Sequence, residues 1–115
     1  MIVRHDLVEP FDFQGLEIRD YTAALETSSS FGVIAVPPLA SHAEAWSKRS
    51  DKIYYVVTGS IEFTLDGKLN TLSEGDLCIV AKGKHFSYRN PGPDEARLHI
   101  VHTPSFDLDS EVFVE

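Results

Sequence analysis

Residues 52–67, "KIYYVVTGSIEFTLDG", decide the fold class of this chain. Their first half is a run of β-branched and aromatic residues that ends at Gly59, which is typical of a strand. In residues 61–65, "IEFTL", apolar and polar side chains alternate, as they do in a strand with one buried face. Asp66 and Gly67 then supply the positive backbone φ angles that a tight hairpin turn needs. The stretch therefore predicts consecutive antiparallel strands.

The same pattern of a short strand followed by a turn recurs along the chain. Pro37 and Pro38 end the apolar run "FGVIAVPP", because proline cannot donate to a strand ladder. Glycine, proline and asparagine punctuate the later runs "DLCIVA", "HFSYRN" and "ARLHIVHTP". Evenly spaced strands with such punctuation indicate an all-β sandwich or barrel. We expect "MIVRHDL" and "GLEIRDY" to add edge strands in an N-terminal part, residues 1–30, and residues 105–115 to form an acidic tail.

Length and charge exclude several classes of protein. A chain of 115 residues corresponds to one domain. Its net charge of −8 and pI of about 5.0 argue against binding to nucleic acid. The sequence has no apolar run long enough to span a membrane and no secretion signal, so we expect a cytoplasmic protein. An N-terminal strand of this kind often pairs with a second subunit, which predicts a homodimer.

These residues resemble the small single-domain cupins, which fold as a double-stranded β-helix, also called a jelly-roll barrel. The resemblance covers residues 31–104. "KIYYVVTGSIEFTLDG" is similar to the second half of the first cupin motif, with its closing glycine at Gly59. "GDLCIVAKGKHFSYRNPG" is similar to the second motif, which begins at Gly75, turns at Gly83 and ends at Asn90. The glycines permit turns that a Cβ atom would obstruct.

Members of this family usually hold a metal ion with three histidines and one glutamate, so the resemblance implies such a site here. Here His42 stands for the first histidine, but Glu44 occupies the second histidine's place. Lys52 falls on the glutamate position and Phe86 on the last histidine. A phenyl ring has no lone pair, and an ammonium group cannot bind a cation without losing its proton. We therefore expect no metal.

A displaced set of metal ligands stays open as an alternative. His85 points away from Phe86 in a regular strand, since side chains alternate. A β-bulge beside Gly83 would reverse that direction. A divalent metal would then meet the following side chains: His42, Glu44, Asp51, His85 and His102.

The expected pocket contains candidates for both catalysis and substrate binding. Lys52 is a cationic anchor for a substrate carboxylate if it points inward, and Glu44 is its expected partner, because a buried ammonium must be paired or lower its pKa. The alternative is a lysine that reaches bulk water. The candidate catalytic residues are His42, Glu44 and Lys52. The candidate substrate-binding residues are Trp46, Tyr54, Phe86, Tyr88 and His102, with Trp46 either a lid residue or packed against the barrel rim.

Three functions follow from this pocket. The first is an isomerase or lyase that transfers protons on a small polar or carboxylate-bearing substrate. The second is a small-molecule binding or sensory barrel without catalysis. The third is a metallo-cupin with displaced ligands. The sequence names no substrate.

Overall fold

The computed structural model of the chain describes residues 1–114 as short strands joined by turns, with two 3-10 turns at His5–Leu7 and Leu108–Ser110. No helix in this part of the chain is both long and apolar enough to cross a bilayer. The strands are β1 (Phe11–Phe13), β2 (Leu16–Asp20), β3 (Ser30–Val36), β4 (Ser41–Ser47), β5 (Asp51–Thr58), β6 (Ile61–Leu65), β7 (Lys68–Leu72), β8 (Leu77–Val80), β9 (Phe86–Arg89), β10 (Ala96–Thr103) and β11 (Glu111–Phe113).

The strands form two antiparallel sheets. One sheet has the order β1-β2-β3-β10-β5-β8, and the other has the order β11-β4-β9-β6-β7. Several paired strands, such as β3 with β10 and β4 with β9, are far apart in the chain, as in a jelly roll. The all-β fold class predicted from the sequence is confirmed.

The stretch that decided the fold class forms β5, β6 and the turn into β7. Asp66 and Gly67 have φ angles of 49° and 79°, and β6 pairs with β7 on either side of this turn. Gly59, between β5 and β6, has a φ angle of 81°, and a Cβ atom there would lie 2.8 Å from the Cα atom of Ala96. Glycine is therefore required at Gly59 for both backbone conformation and space.

Alternation along the strands places the apolar core between the sheets. Lys52, Tyr54 and Val56 all point inward from β5 and are buried, whereas Tyr55 between them is exposed. The largest side chains that the core buries completely are Phe63, Phe86, Leu16, Ile61, Leu98, Val36, Val56 and Val80.

The two ends of the chain differ from the expected arrangement. "MIVRHDL" is not an edge strand: residues 1–10 form only the turn at His5–Leu7, and the edge strand is β1. Pro10 precedes β1 and has no N–H group to extend the ladder. Residues 105–114, expected as part of an acidic tail, carry β11, which pairs with β4; Glu115 lies outside the described residues.

Candidate active site

A cavity of about 240 Å³ lies between the two sheets. Strands of both sheets contribute to its wall, so it forms only when the sheets pack together. The chemically active side chains that line it are Asp20, Ser30, His42, Lys52, Tyr54, Tyr88, His102 and Glu111.

Lys52 points into the barrel, and its side chain is only 3% exposed. Its ammonium group donates to His102 Nε2 at 3.0 Å and to Glu111 Oε1. β10 holds His102 directly opposite Lys52 on β5, whereas Glu111 comes from β11 in the other sheet. The ion pair between Lys52 and Glu111 therefore joins the two sheets across the cavity.

Burial governs the protonation of this cluster. It lowers the pKa of Lys52, and the hydrogen bond and charge of Glu111 oppose that shift. Burial, together with the charge of Lys52, lowers the pKa of His102 to about 3. Near pH 7 His102 is thus a neutral imidazole that accepts through Nε2 and carries its proton on Nδ1.

His42 is the candidate base of the site. Its Nδ1 donates to the carbonyl oxygen of Ala43 at 2.6 Å, since a carbonyl can only accept. Burial lowers the pKa of His42, and this holds the ring neutral near pH 7. The proton on Nδ1 then leaves Nε2 as the nitrogen with a free lone pair. The ring packs against both Phe86 and Tyr88, at centroid distances of 5.0 and 5.2 Å.

Tyr54 and Tyr88 bring two buried hydroxyl groups to the cavity. Their rings meet edge to face at 5.6 Å, and burial raises the pKa of both phenols. Both are therefore neutral donors at ordinary pH. Among residues 1–114, Tyr88 Oη is buried and has no hydrogen-bond partner. Most buried polar groups are paired, so an unpaired buried hydroxyl is unusual.

A β-bulge in β4 moves two predicted site residues out of the cavity. His42 lies opposite Tyr88 and Ala45 lies opposite Phe86, so β4 has one residue more than β9 over this stretch. The extra residue inverts the alternation after His42. Glu44 and Trp46 consequently point outward. Glu44 is therefore not in the pocket where the sequence placed it, whereas the position of Trp46 agrees with the rim-packing alternative.

The displaced residues form a cluster on the outer surface. Glu44 Oε2 lies 3.1 Å from Nδ1 of His85, and the Trp46 ring stacks on His85 at a centroid distance of 5.9 Å. Glu44 is thus the partner of His85, and the partner of Lys52 is Glu111. Trp46 packs against the barrel wall and is not a lid.

Phe86 is 1% exposed and packs beneath the site instead of lining the cavity. Lys52 Nζ lies 5.4 Å from the centroid of its ring, which favours the ammonium through a cation–π contact. Phe86 therefore supports Lys52 and His42 from below.

The donor set does not fit the metal that the family resemblance implies. Lys52 places an ammonium between His102 Nε2 and Glu111 Oε1, where a metal ion would need those same lone pairs. Of the displaced ligands, His85 lies outside the cavity, and the exposed Asp51 accepts from the Lys82 N–H. Within residues 1–114, no three His, Cys, Asp or Glu side chains are grouped as metal ligands.

Sequence reasoning missed the contribution of both chain ends. Glu111 lies 59 positions from Lys52, and nothing local indicates their contact. The run of β-branched and aromatic residues Val112, Phe113 and Val114 was a signal for β11 that the acidic composition of the tail concealed. The apolar residues that the two ends place around the cavity are Phe11, Phe13, Phe106, Leu108 and Phe113.

The fold is similar to that of solved cupin structures. PAC13 from Streptomyces, a nucleoside dehydratase, is 21% identical, with a TM-score of 0.87 over 100% of this chain and 91% of that chain. Its structures include complexes of a histidine-to-glutamine variant and of tyrosine-to-phenylalanine variants with uridine. KdgF from Halomonas sp. is 21% identical, with a TM-score of 0.79 over 90% of this chain and 94% of that chain.

Sequence comparisons point to the same family. Endoribonuclease YbeY of Myxococcus xanthus is 27% identical over 94 residues, which are 80% of this chain and 32% of that protein. This chain spans between 12% and 37% of the length of the curated relatives it matches. The family model described as "Cupin domain" matches residues 32–102, more than half of the chain. The protein therefore belongs to the cupin family.

Proposed function

We propose that this cupin is a lyase that removes water from a small, uncharged, hydroxyl-bearing molecule by acid–base catalysis. The observation that carries the proposal is the buried hydroxyl of Tyr88, which has no hydrogen-bond partner among residues 1–114 and belongs to a residue that lines the cavity. A substrate oxygen would satisfy this group and recover the free energy that its burial costs. His42 shares the cavity and supplies a neutral base.

The charges around the cavity favour an uncharged substrate. Glu111 already neutralises the ammonium of Lys52, and Asp20 adds a carboxylate to the lining. A substrate carboxylate would meet net negative surroundings instead of a free ammonium. Of the small polar or carboxylate-bearing substrates expected from the sequence, this argument favours the uncharged ones.

The aromatic residues at the cavity favour a substrate that includes a flat ring. Phe13 and Phe113 lie 5.9 Å apart between ring centroids, and Phe113 stacks on His42 at 6.1 Å. Aromatic side chains bind flat rings by stacking or by edge-to-face contact. The structural likeness to PAC13, a nucleoside dehydratase, supports a flat base joined to a hydroxylated sugar as the substrate class.

Dehydration needs one protein group that acts as a base and another that acts as an acid on the same substrate molecule. His42 Nε2 takes the proton of a C–H bond that a neighbouring substrate carbonyl makes acidic. The electron pair of that bond forms a carbon–carbon double bond as the adjacent C–O bond breaks. The departing oxygen takes a proton from Tyr88 or Lys52 and leaves as water, and the proton held by His42 later restores that donor. The reaction consumes no oxidant, reductant or co-substrate.

Binding and conversion are tested separately on the full chain. Calorimetry with uridine as the probe measures binding, and we expect Tyr88→Phe to weaken it about tenfold, the value of one hydrogen bond. Tyr21→Phe, which removes a hydroxyl from a tyrosine outside the cavity lining, is the matched control. Mass spectrometry then follows loss of water from nucleosides and sugars that carry a carbonyl group. We expect His42→Gln to abolish this loss while it leaves binding within a few-fold.

Other outcomes distinguish the remaining functions. Tight binding with no conversion of any carbonyl-bearing compound would support the non-catalytic binding barrel. Stoichiometric iron, manganese, nickel or zinc in the active protein, measured by elemental analysis, would support the metallo-cupin and contradict the role given to Lys52. Conversion that survives His42→Gln would refute the proposed base.

A further inference from the structure

The cavity has a carboxylate that lies apart from the cluster around Lys52. Asp20 is the last residue of β2 and follows Ile18 by two positions, so both side chains point inward, and both line the cavity. Asp20 is half-buried. None of the ion pairs within residues 1–114 includes Asp20. This carboxylate therefore reaches the cavity without a paired cation in the described part of the chain.

The turn after β2 fixes the direction of the carboxylate. Oδ1 of Asp20 accepts from the backbone N–H of Thr22 at 3.1 Å and from the Thr22 hydroxyl at 3.2 Å. The hydroxyl oxygen of Thr22 in turn accepts from the N–H of Phe31 on β3 at 3.0 Å. Because both bonds to Asp20 end on Oδ1, they leave the lone pairs of Oδ2 for a ligand.

Register separates Asp20 from the catalytic end of the cavity. Asp20 pairs with Gly32, Gly32 pairs with Ile100, and Ile100 pairs with Tyr54. These four residues form one inward row across β2, β3, β10 and β5, in which three strand spacings, or about 14 Å, separate the first residue from the last. The row therefore has a carboxylate at one end and a phenol at the other, with no polar side chain between them.

Aromatic side chains line the cavity close to Asp20. β1 pairs with β2 and places Phe11 directly opposite Ile18, about 7 Å along the strand from Asp20. Phe13 lies on the same strand, and Phe113 contacts it from the other sheet at a centroid distance of 5.9 Å. All three rings line the cavity. A flat ring bound among them therefore has Asp20 at one edge.

We infer that Asp20 selects substrates whose flat ring carries an exocyclic amino group on the edge remote from the sugar. The inference rests on the proposed function, which places the hydroxyl-bearing part of the substrate beside His42 and Tyr88. The flat ring then extends toward β2, where a carboxylate can only accept a hydrogen bond. An amino group donates to it through a charge-assisted bond, whereas a carbonyl oxygen on the same ring atom repels it.

Cytidine and uridine present these two cases on rings of nearly the same size. The amino group of cytidine stands at a corner of the ring and has one N–H bond that points away from the ring acceptors. Uridine has a carbonyl oxygen at that corner, and its ring N–H lies between two carbonyl oxygens whose lone pairs repel a carboxylate. Asp20 should therefore favour cytidine.

Calorimetry on the full chain with cytidine and uridine tests the inference. The wild-type chain should bind cytidine at least tenfold more tightly, the value of one charge-assisted hydrogen bond. In Asp20→Asn the side-chain oxygen still accepts from Thr22 while the amide nitrogen donates toward the ligand, so the ratio of the two affinities should fall to about one or reverse. Asp12→Asn is the matched control, since Asp12 is an exposed carboxylate on β1 outside the cavity lining, and it should keep the wild-type ratio.

The ratio separates recognition from folding, because a disturbed fold would weaken the binding of both nucleosides. A ratio that falls only in Asp20→Asn supports the inference. Equal wild-type affinities, a ratio that Asp20→Asn leaves unchanged, or an equal fall in Asp12→Asn would overturn it. In each of these cases weaker uridine binding by Tyr88→Phe would still support the proposed function. A wild-type chain that binds neither nucleoside would overturn both.

Discussion

Replacing Glu111 with Gln removes the only charge that the described structure pairs with the ammonium of Lys52. The two side chains are 5% and 3% exposed, so solvent cannot take over the role of the carboxylate. Glutamine keeps the size of the side chain and one acceptor oxygen. The substitution therefore isolates the charge of Glu111 from its packing.

The structure sets the size of the effect. Removing one partner of a buried ion pair typically costs about 3–5 kcal/mol of unfolding free energy. Lys52 can avoid this cost by losing its proton, which from an ordinary pKa of 10.5 costs about 5 kcal/mol at pH 7 and about 2 kcal/mol at pH 9. We therefore expect Glu111→Gln to lose 3–5 kcal/mol at pH 7, roughly, and no more than about 2 kcal/mol at pH 9.

The sign of this pH dependence follows from linkage. In the variant, the folded-state pKa of Lys52 lies below its unfolded value, so the unfolded chain binds more protons. Stability must then rise with pH through this window. The double variant with Lys52→Met and Glu111→Gln buries no charge, and it should be more stable at pH 7 than either single variant.

Urea unfolding, followed by the fluorescence of the single tryptophan, Trp46, measures these free energies at both pH values. Lys84→Met is the control, because its ion pair with Asp66 spans 3.2 Å between side chains that are 58% and 47% exposed, and we expect no measurable change. A Glu111→Gln variant that unfolds at the wild-type urea concentration, or one whose deficit is the same at pH 9, would show that Lys52 is not a buried cation.

Three further predictions follow from the same geometry. Tyr88→Phe should leave the free energy of unfolding, measured in urea, unchanged or slightly higher, because the lost hydroxyl has no protein partner. The same variant should weaken uridine binding. The pKa of His102 is about 3 in the folded chain against an ordinary 6.5. The stability that neutral His102 contributes is therefore fully present above pH 6.5 and decreases as the pH falls toward 3. His102→Gln should therefore reduce the slope of unfolding free energy against pH in this acid range by up to about 1.4 kcal/mol per pH unit. Urea unfolding at successive pH values measures this slope. Gly59→Ala should lower the unfolding free energy by at least 2 kcal/mol, roughly, because the new Cβ would meet Ala96 at a positive φ angle; unchanged thermal unfolding would contradict this.

Local patterns predicted which residues share a face on β5 and on β9, but they did not predict whether that face points inward. Period-two alternation places Lys52 and Tyr54 on one face, and Phe86 and Tyr88 on another, as in the structure. The family pattern placed Glu44 in the pocket, and that placement was wrong because β4 carries a bulge after His42. A bulge changes the period by one residue and leaves no distinct signature in the residues that form it, so alternation before it says nothing about direction after it.

The amino-acid sequence alone determined the all-β class, the position of the hairpin and the cupin family, because turns and strand alternation are encoded within a few residues. Only the tertiary structure decided which carboxylate neutralises Lys52 and which aromatic side chains surround the cavity. Those contacts join strands far apart in the chain, and their partners are selected by sheet packing and by the cost of burying an unpaired charge, not by any local pattern.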